Sequence, residues 1–290
     1  MSVFPKYSLR GLEGRRMITG SGKRLVIVEG GSDVEVYSRF IDDQTRIYPV
    51  EDIARITRNN RDAILSMSES YPHHSFIVDE DMESLALGNS INELPDNIAT
   101  TFKLNDIECW AFQALEGGQE LSRFDLQDED VELAKYLSRG FGILRLIMKE
   151  MRIGNEETRW KINFGGEGGV KRNLLRDRPR LKFDTDIVDL VIRAQRQGNG
   201  ISIRRWQEKF EKWEMKTSSY DTWQVIGGHD LCFFLYYVSS QRKGHEATNS
   251  GLYNFESSLR RDSVKPRNRK FWSALMNGKV GKILGIDDRV

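Results

Sequence analysis

Three carboxylates in this sequence stand where short apolar runs end. Glu29 closes LVIVE; Gly30 and Gly31 follow, and Asp33 lies four residues beyond Glu29. Asp79 and Asp81 form a D-x-D after FIV, about 50 residues later. Acids two apart on an extended chain face one side, where their charges repel unless a cation lies between them. Carboxylate oxygens are hard ligands that suit Mg²⁺ or Mn²⁺. A Gly-Gly turn presents no side chains, so a ligand can come close. Each element alone has a plainer reading. IVEGGSD can be a surface turn, and a lone D-x-D can be a strand end entering a polar loop.

The elements that must position these acids alternate. RLVIV (24–28) is a short apolar run bounded by glycines, the pattern of a buried parallel strand. DVEVYSRFI follows at helical spacing, with Ser32 or Asp33 as its cap. RIYPV (46–50) is a second strand, and 51–70 carries Ile53, Ile56, Ile64 and Met67 at helical intervals. SFIVDED (75–81) and IATTFKL (98–104) are two more strands, and NDIECWAFQAL then reads as a helix capped by Asn105 or Asp106. Such β-α alternation argues for an α/β layer with a mainly parallel sheet. Ligands bind such sheets beyond the carboxyl ends of the strands, so Glu29, Asp79 and Asp81 are expected to converge.

Composition narrows the classes. The chain has 290 residues, with 44 Lys and Arg against 43 Asp and Glu, so bulk charge identifies no partner. Cys109 and Cys232 stand far apart in apolar settings without a CxxC or Cys/His cluster. That argues against zinc and against a secreted disulfide scaffold. The N-terminus lacks the apolar core of a signal peptide. The longest apolar run, LCFFLYYV, falls well short of the ~20 residues of a membrane helix. A soluble cytoplasmic protein is expected.

Beyond residue 115 the character changes. AKYLSRGFGILRLIMKEM reads as one amphipathic helix, or two interrupted near Gly140, and further helices are expected near 184–197, 203–216 and 229–239. GGEGG (165–169) reads as a loop. Two stretches are basic: Lys171, Arg172 and Arg176 lie in one, Arg267, Arg269 and Lys270 in the other. Clustered cations can track a phosphate backbone, and Phe271 or Trp272 could stack on a base. The alternative is a solvated helix face with the aromatics in the core. ITGSGKR is no P-loop, because the upstream Gly and the Ser/Thr after Lys23 are missing. His73 and His74 precede the third strand and so lie at the opposite end of the sheet.

IVEGGSD and FIVDED together resemble the Toprim pattern: a strand-borne Glu with Gly behind it, a helix, a further β-α unit, then an apolar run into D-x-D. TTFKLNDIECWAF and GGHDLCFFLYYV are similar to segments of a group of small bacterial Toprim proteins that includes AriB, the effector of the PARIS anti-phage system. The resemblance covers roughly residues 23–240 and is closest in the first hundred. It implies an α/β Toprim fold, a mostly parallel central sheet flanked by helices, over 23–115. A mainly helical region, 116–290, would follow, with about 220–245 packing back on the sheet. Glu29, Asp79 and Asp81 would be catalytic, and these three with Asp33 would hold Mg²⁺ or Mn²⁺. Gly30, Asp106, Glu108 and His229 are further candidates. Asp106 and Glu108 read equally well as a helix cap and a first-turn acid, and His229 stands where related proteins often carry Lys.

The implied activity is metal-dependent endonucleolytic hydrolysis. Strand transfer would need a nucleophilic Tyr on a separate domain, and a primase would bring a zinc module. The group further implies a toxic defence effector that cleaves host RNA, tRNA above all. It would be released by an ABC-type ATPase partner and act as a homodimer. The alternatives are an OLD-type DNA endonuclease and a non-catalytic Toprim module that senses or scaffolds.

Overall fold

The computed structural model describes residues 7–9, 22–56, 60–79, 85, 94–100, 106–116, 121–153, 203–268, 272 and 278–285. They fall into two compact units. One takes residues 1–81, 89–120 and 256–290, the other 82–88 and 121–255. The division is therefore not a single cut along the chain.

The first unit carries β1 (Tyr7–Leu9), β2 (Arg24–Val28), α1 (Gly31–Tyr37), β3 (Thr45–Pro49), α2 (Val50–Ile53), β4 (Ala54–Ile56), α3 (Asn60–Ser70), β5 (Ser75–Val78), β6 (Ile98–Thr100) and α4 (Ile107–Glu116). Four strands form a wholly parallel sheet in the order β3-β2-β5-β6. Leu25, Ile27, Phe76, Val78 and Ile98 pack with Ile64 and Met67 in one core cluster. The alternate residues Val26, Val28, Ile77 and Ala99 are buried too, so both faces of the sheet are covered. This is why the strands read as unbroken apolar runs.

The expected single helix over 51–70 is a correction. It breaks into α2, β4 and α3, and β4 pairs antiparallel with β1, Tyr7 opposite Ile56 and Leu9 opposite Ala54. Ile53, Ala54, Arg55 and Ile56 satisfy a helical stripe, but the β-branched isoleucines also suit a strand. A partner strand near the N-terminus decides between them.

The second unit contains α5 (Asp128–Ile153), α6 (Ile203–Thr217) and α7 (Gly228–Arg242), with α6 and α7 packed on α5. Helix α5 runs through Gly140 without interruption. Gly140 and Gly142 are both buried in it, so packing outweighs the ~1 kcal/mol that each glycine costs a helix. Trp206, Phe210 and Trp213 form the buried stripe of α6. In α7, Asp230 is fully buried and takes a two-pronged ion pair from Arg145 of α5: Nε to Oδ2 at 2.8 Å and Nη2 to Oδ1 at 2.9 Å. Helix α8 (Asn249–Ser263), from residue 256 on, and α9 (Lys279–Leu284) belong to the first unit. Among the described residues no helix is long and apolar enough to cross a membrane.

Candidate metal centre

Strands β2 and β5 are neighbours, and the chain leaves them in opposite directions. β3 lies outside β2 and β6 outside β5. The sheet order therefore reverses between these two strands, which is where α/β sheets open a crevice for a ligand. Glu29 and Asp79 are the first residues beyond their ends. Glu29 Oε1 accepts a hydrogen bond from the Asp79 main-chain N–H at 3.0 Å. The start of α3 pins both turns: Asn60 Nδ2 donates to the Glu29 carbonyl at 2.7 Å, and Arg61 Nη1 donates to the Asp79 carbonyl.

Helix α1 begins at the same edge. Gly30 is its N-cap, and its N–H donates to Asp33 Oδ2 at 2.9 Å. Neither glycine is demanded by the fold. Gly30 has extended backbone (φ −149°), and a Cβ on Gly31 would meet nothing within 4 Å. The space over Gly31 is open, so a bare turn here serves what approaches from outside. Gly31→Ala is expected to leave thermal stability unchanged or slightly higher, because alanine loses less entropy on folding. Turnover on a phosphodiester should fall by about tenfold as the methyl obstructs the approach. Melting curves and initial rates, measured side by side, check this; an unchanged rate would remove the glycines from the site.

Two further acids enter from α4. Asp106 caps it, accepting from the Cys109 N–H at 3.0 Å. Glu108, in the first turn, is 1% exposed and receives Arg260 Nη1 at 2.8 Å. The cap does not exclude the site, because both acids act electrostatically on Asp33 and Asp79.

Burial and the neighbouring Glu108 push Asp33 up to about 8; the Gly30 N–H opposes this, while Glu29 and Asp106 add to it. Asp79 is held well above the ordinary carboxylate range by burial, then by Asp33, Glu29, Asp106 and Glu108. The same field reaches Tyr37, whose buried phenol is raised by desolvation and then by Asp33, Asp79 and Glu108. Sequence reasoning missed Tyr37; its place one turn after Asp33 on α1 was the available signal.

Five acids, Glu29, Asp33, Asp79, Asp106 and Glu108, are thus coupled through one field. Among the described residues no group of three or more His, Cys, Asp or Glu forms a ready cage for a metal. Mg²⁺ does not require one, since it keeps much of its water and binds through one or two carboxylates together with substrate phosphates. The donors here are hard oxygens, and burial and mutual repulsion disfavour the charged forms of Asp33 and Asp79. On those grounds the cluster fits Mg²⁺ or Mn²⁺.

No protein-family model matches this sequence, and no curated protein or solved structure matches it.

A pH dependence follows from Asp33. Its carboxyl ionises near 3.8 when unperturbed and near about 8 in the fold. Its stabilising contribution is full below the lower value and is lost as pH rises through the upper one. Metal binding must displace that proton. The rise in melting temperature produced by millimolar Mn²⁺ should therefore be small near about pH 5.5 and grow steadily towards about pH 8.5. A shift independent of pH would contradict a role for Asp33.

The remaining candidates divide. Asp81, Lys171, Arg172, Arg176, Arg269 and Lys270 lie outside the described residues, as does the helix expected near 184–197. Arg267 belongs to a turn at Pro266–Asn268, and its side chain is outside the described set. His229 is exposed in the first turn of α7, in the second unit. His73 and His74 do precede β5, and His74 stacks on Tyr71 with centroids 6.1 Å apart. Trp272 corrects the base-stacking reading for that residue. It is 1% exposed, lies 6.3 Å from Trp110 ring to ring, and donates Nε1–H to the Ser263 carbonyl at 2.7 Å. Its ring is core.

Proposed function

We propose that this chain is a metal-dependent endonuclease of Toprim type, acting on RNA, with tRNA the favoured substrate. The observation that carries the chemistry is the cluster of mutually repelling carboxylates at the β2–β5 switch point, beside an open glycine turn. When bound there, Mg²⁺ or Mn²⁺ would activate water and stabilise the departing oxygen of a phosphodiester. Glu29 and Asp79 would hold it, with Asp81 as the second acid of the D-x-D. The Asp79 N–H fixes Glu29 Oε1. Asp33 Oδ2 is engaged by the Gly30 N–H, so Oδ1 is the oxygen that would turn to the metal once the carboxyl is ionised.

The likeness of IVEGGSD, FIVDED and GGHDL to the AriB group supports the wider reading. In it the chain is the toxic effector of a bacterial anti-phage system. An ABC-type ATPase holds it inactive, and after release it cleaves host tRNA as a homodimer in the cytoplasm.

The test is cleavage of total tRNA and of plasmid DNA by purified protein with Mg²⁺ or Mn²⁺, beside the Glu29→Ala and Asp79→Ala variants. Metal-dependent tRNA cleavage that both variants lose supports the proposal. Cleavage of plasmid alone would make it an OLD-type DNA endonuclease. No cleavage, with no metal bound at millimolar concentration, would make it a non-catalytic sensing or scaffolding module.

A further inference from the structure

We propose that Arg260, written at the far end of the chain, is a positioning residue for the acidic site and acts through Glu108. The inference rests on the metal-centre reading above and adds to it a residue that no motif marks.

Arg260 lies on α8 and is 5% exposed. Its guanidinium divides between two acids: Nε lies 2.9 Å from Glu35 Oε2 on α1, and Nη1 lies 2.8 Å from Glu108 Oε1 on α4. Ser257, one turn earlier on α8, donates to the other oxygen of Glu35 at 3.2 Å. The two acids it joins belong to the two helices that begin at the site.

Glu108 needs such a partner. Burying a carboxylate is costly unless a countercharge and hydrogen bonds meet it. Arg260 remains a cation in place. Burial alone would lower its guanidinium pKa, and Glu108 followed by Glu35 reverse that. Glu108 stands in the first turn of α4, two residues after its cap Asp106, and Glu35 stands two residues after Asp33 on α1. Arg260 therefore holds the start of α4 against α1, and with them the acids that those helices carry.

A purely structural role is the competing account, in which Arg260 only fastens the C-terminal segment to the core. Trp272 already fastens it, by stacking on Trp110 and by packing on the Phe40 ring, centroids 5.3 Å apart. Buried ion pairs contribute little net stability compared with apolar packing. An anchor would not need to end on an acid coupled to the site.

The experiment is calorimetric titration of the full chain with Mn²⁺. Arg260→Lys keeps the buried charge, but a single ammonium cannot hold both acids in the forked geometry. Its Mn²⁺ dissociation constant should rise about tenfold, the usual effect of disturbing a residue behind a metal ligand, while unfolding stays cooperative. An affinity within about twofold of wild type, in a folded variant, would overturn the proposal. Glu108→Gln and Glu108→Gln/Arg260→Gln form the second arm, since the double variant leaves no unpaired charge between these two residues. Both should bind Mn²⁺ more weakly than wild type and by about the same factor, because Arg260 acts mainly through Glu108. A further loss beyond about threefold in the double variant would overturn it. Should Arg260→Lys not fold, that comparison decides alone. Wild-type protein that binds no Mn²⁺ at millimolar concentration refutes the metal centre itself, a result distinct from either failure.

Discussion

Asp79→Asn will inactivate the protein and make it harder to unfold. Both effects have one cause. Asp79 is held well above its ordinary range by burial and by four neighbouring acids, so ionising it in the fold is unfavourable. Asparagine removes that charge and keeps the shape. The main-chain bonds to Glu29 and Arg61 use the N–H and carbonyl of residue 79, which the substitution does not touch. In chelator at neutral pH the variant should gain on the order of 1 kcal/mol, a rise of about 2–4 °C for a chain of this size. Metal-dependent hydrolysis should fall by at least about 10³-fold, roughly 4 kcal/mol of lost transition-state stabilisation. Glu29→Gln should behave likewise. Gain of stability with loss of function is what a site built from repelling charges produces. A variant less stable in chelator, or one that cleaves within about tenfold of wild type, would mean that Asp79 is an ordinary strand-end residue.

The acidic edge was legible because parallel strands buried on both faces announce themselves. Leu25–Val28 and Phe76–Val78 are unbroken apolar runs, and the acid after each falls at the same end of the sheet. Once those strands are placed as neighbours, Glu29 and Asp79 must meet. The two short strands β1 and β4 were hidden because three residues hold too little periodicity to separate strand from helix. Their identity is settled by pairing across some 45 residues. Arg260 was hidden for a different reason. It stands in a run of cations, Arg260, Arg261 and Lys265, that reads as one basic surface. Only the fold distinguishes them: Arg260 is buried against two acids, Arg261 is exposed, and Lys265 pairs with Asp262 at 2.6 Å. Trp272 misled in the same way, because an aromatic beside arginines looks alike whether it faces a base or the core.

Arg145→Met is the second large effect, this time on stability alone. Asp230 has no exposed surface, whereas the Arg145 side chain is 37% exposed. The pair is therefore unequal. Removing the arginine strands a carboxylate where water cannot reach it, which costs about 3–4 kcal/mol. Asp230→Asn leaves an arginine that can turn into solvent and keeps a polar group in place; its cost should be about 1–2 kcal/mol. Urea unfolding of the two variants measures the difference. Equal costs, or a larger one for Asp230→Asn, would show that the pair is more accessible to water than its geometry indicates. The test also gives GGHDL a physical meaning. Its Asp ties α7 to α5.

The segment from residue 256 returns to the first unit and brings Arg260 to acids written more than 150 residues earlier. During synthesis, then, the sheet and its acids leave the ribosome long before the cation that orders Glu108. A nascent chain carrying β2 to α4 has the acids but not the residue that holds Glu108 in place. For a protein whose proposed activity would injure the cell that makes it, this order of emergence postpones a fully organised centre until well after the sheet has been made.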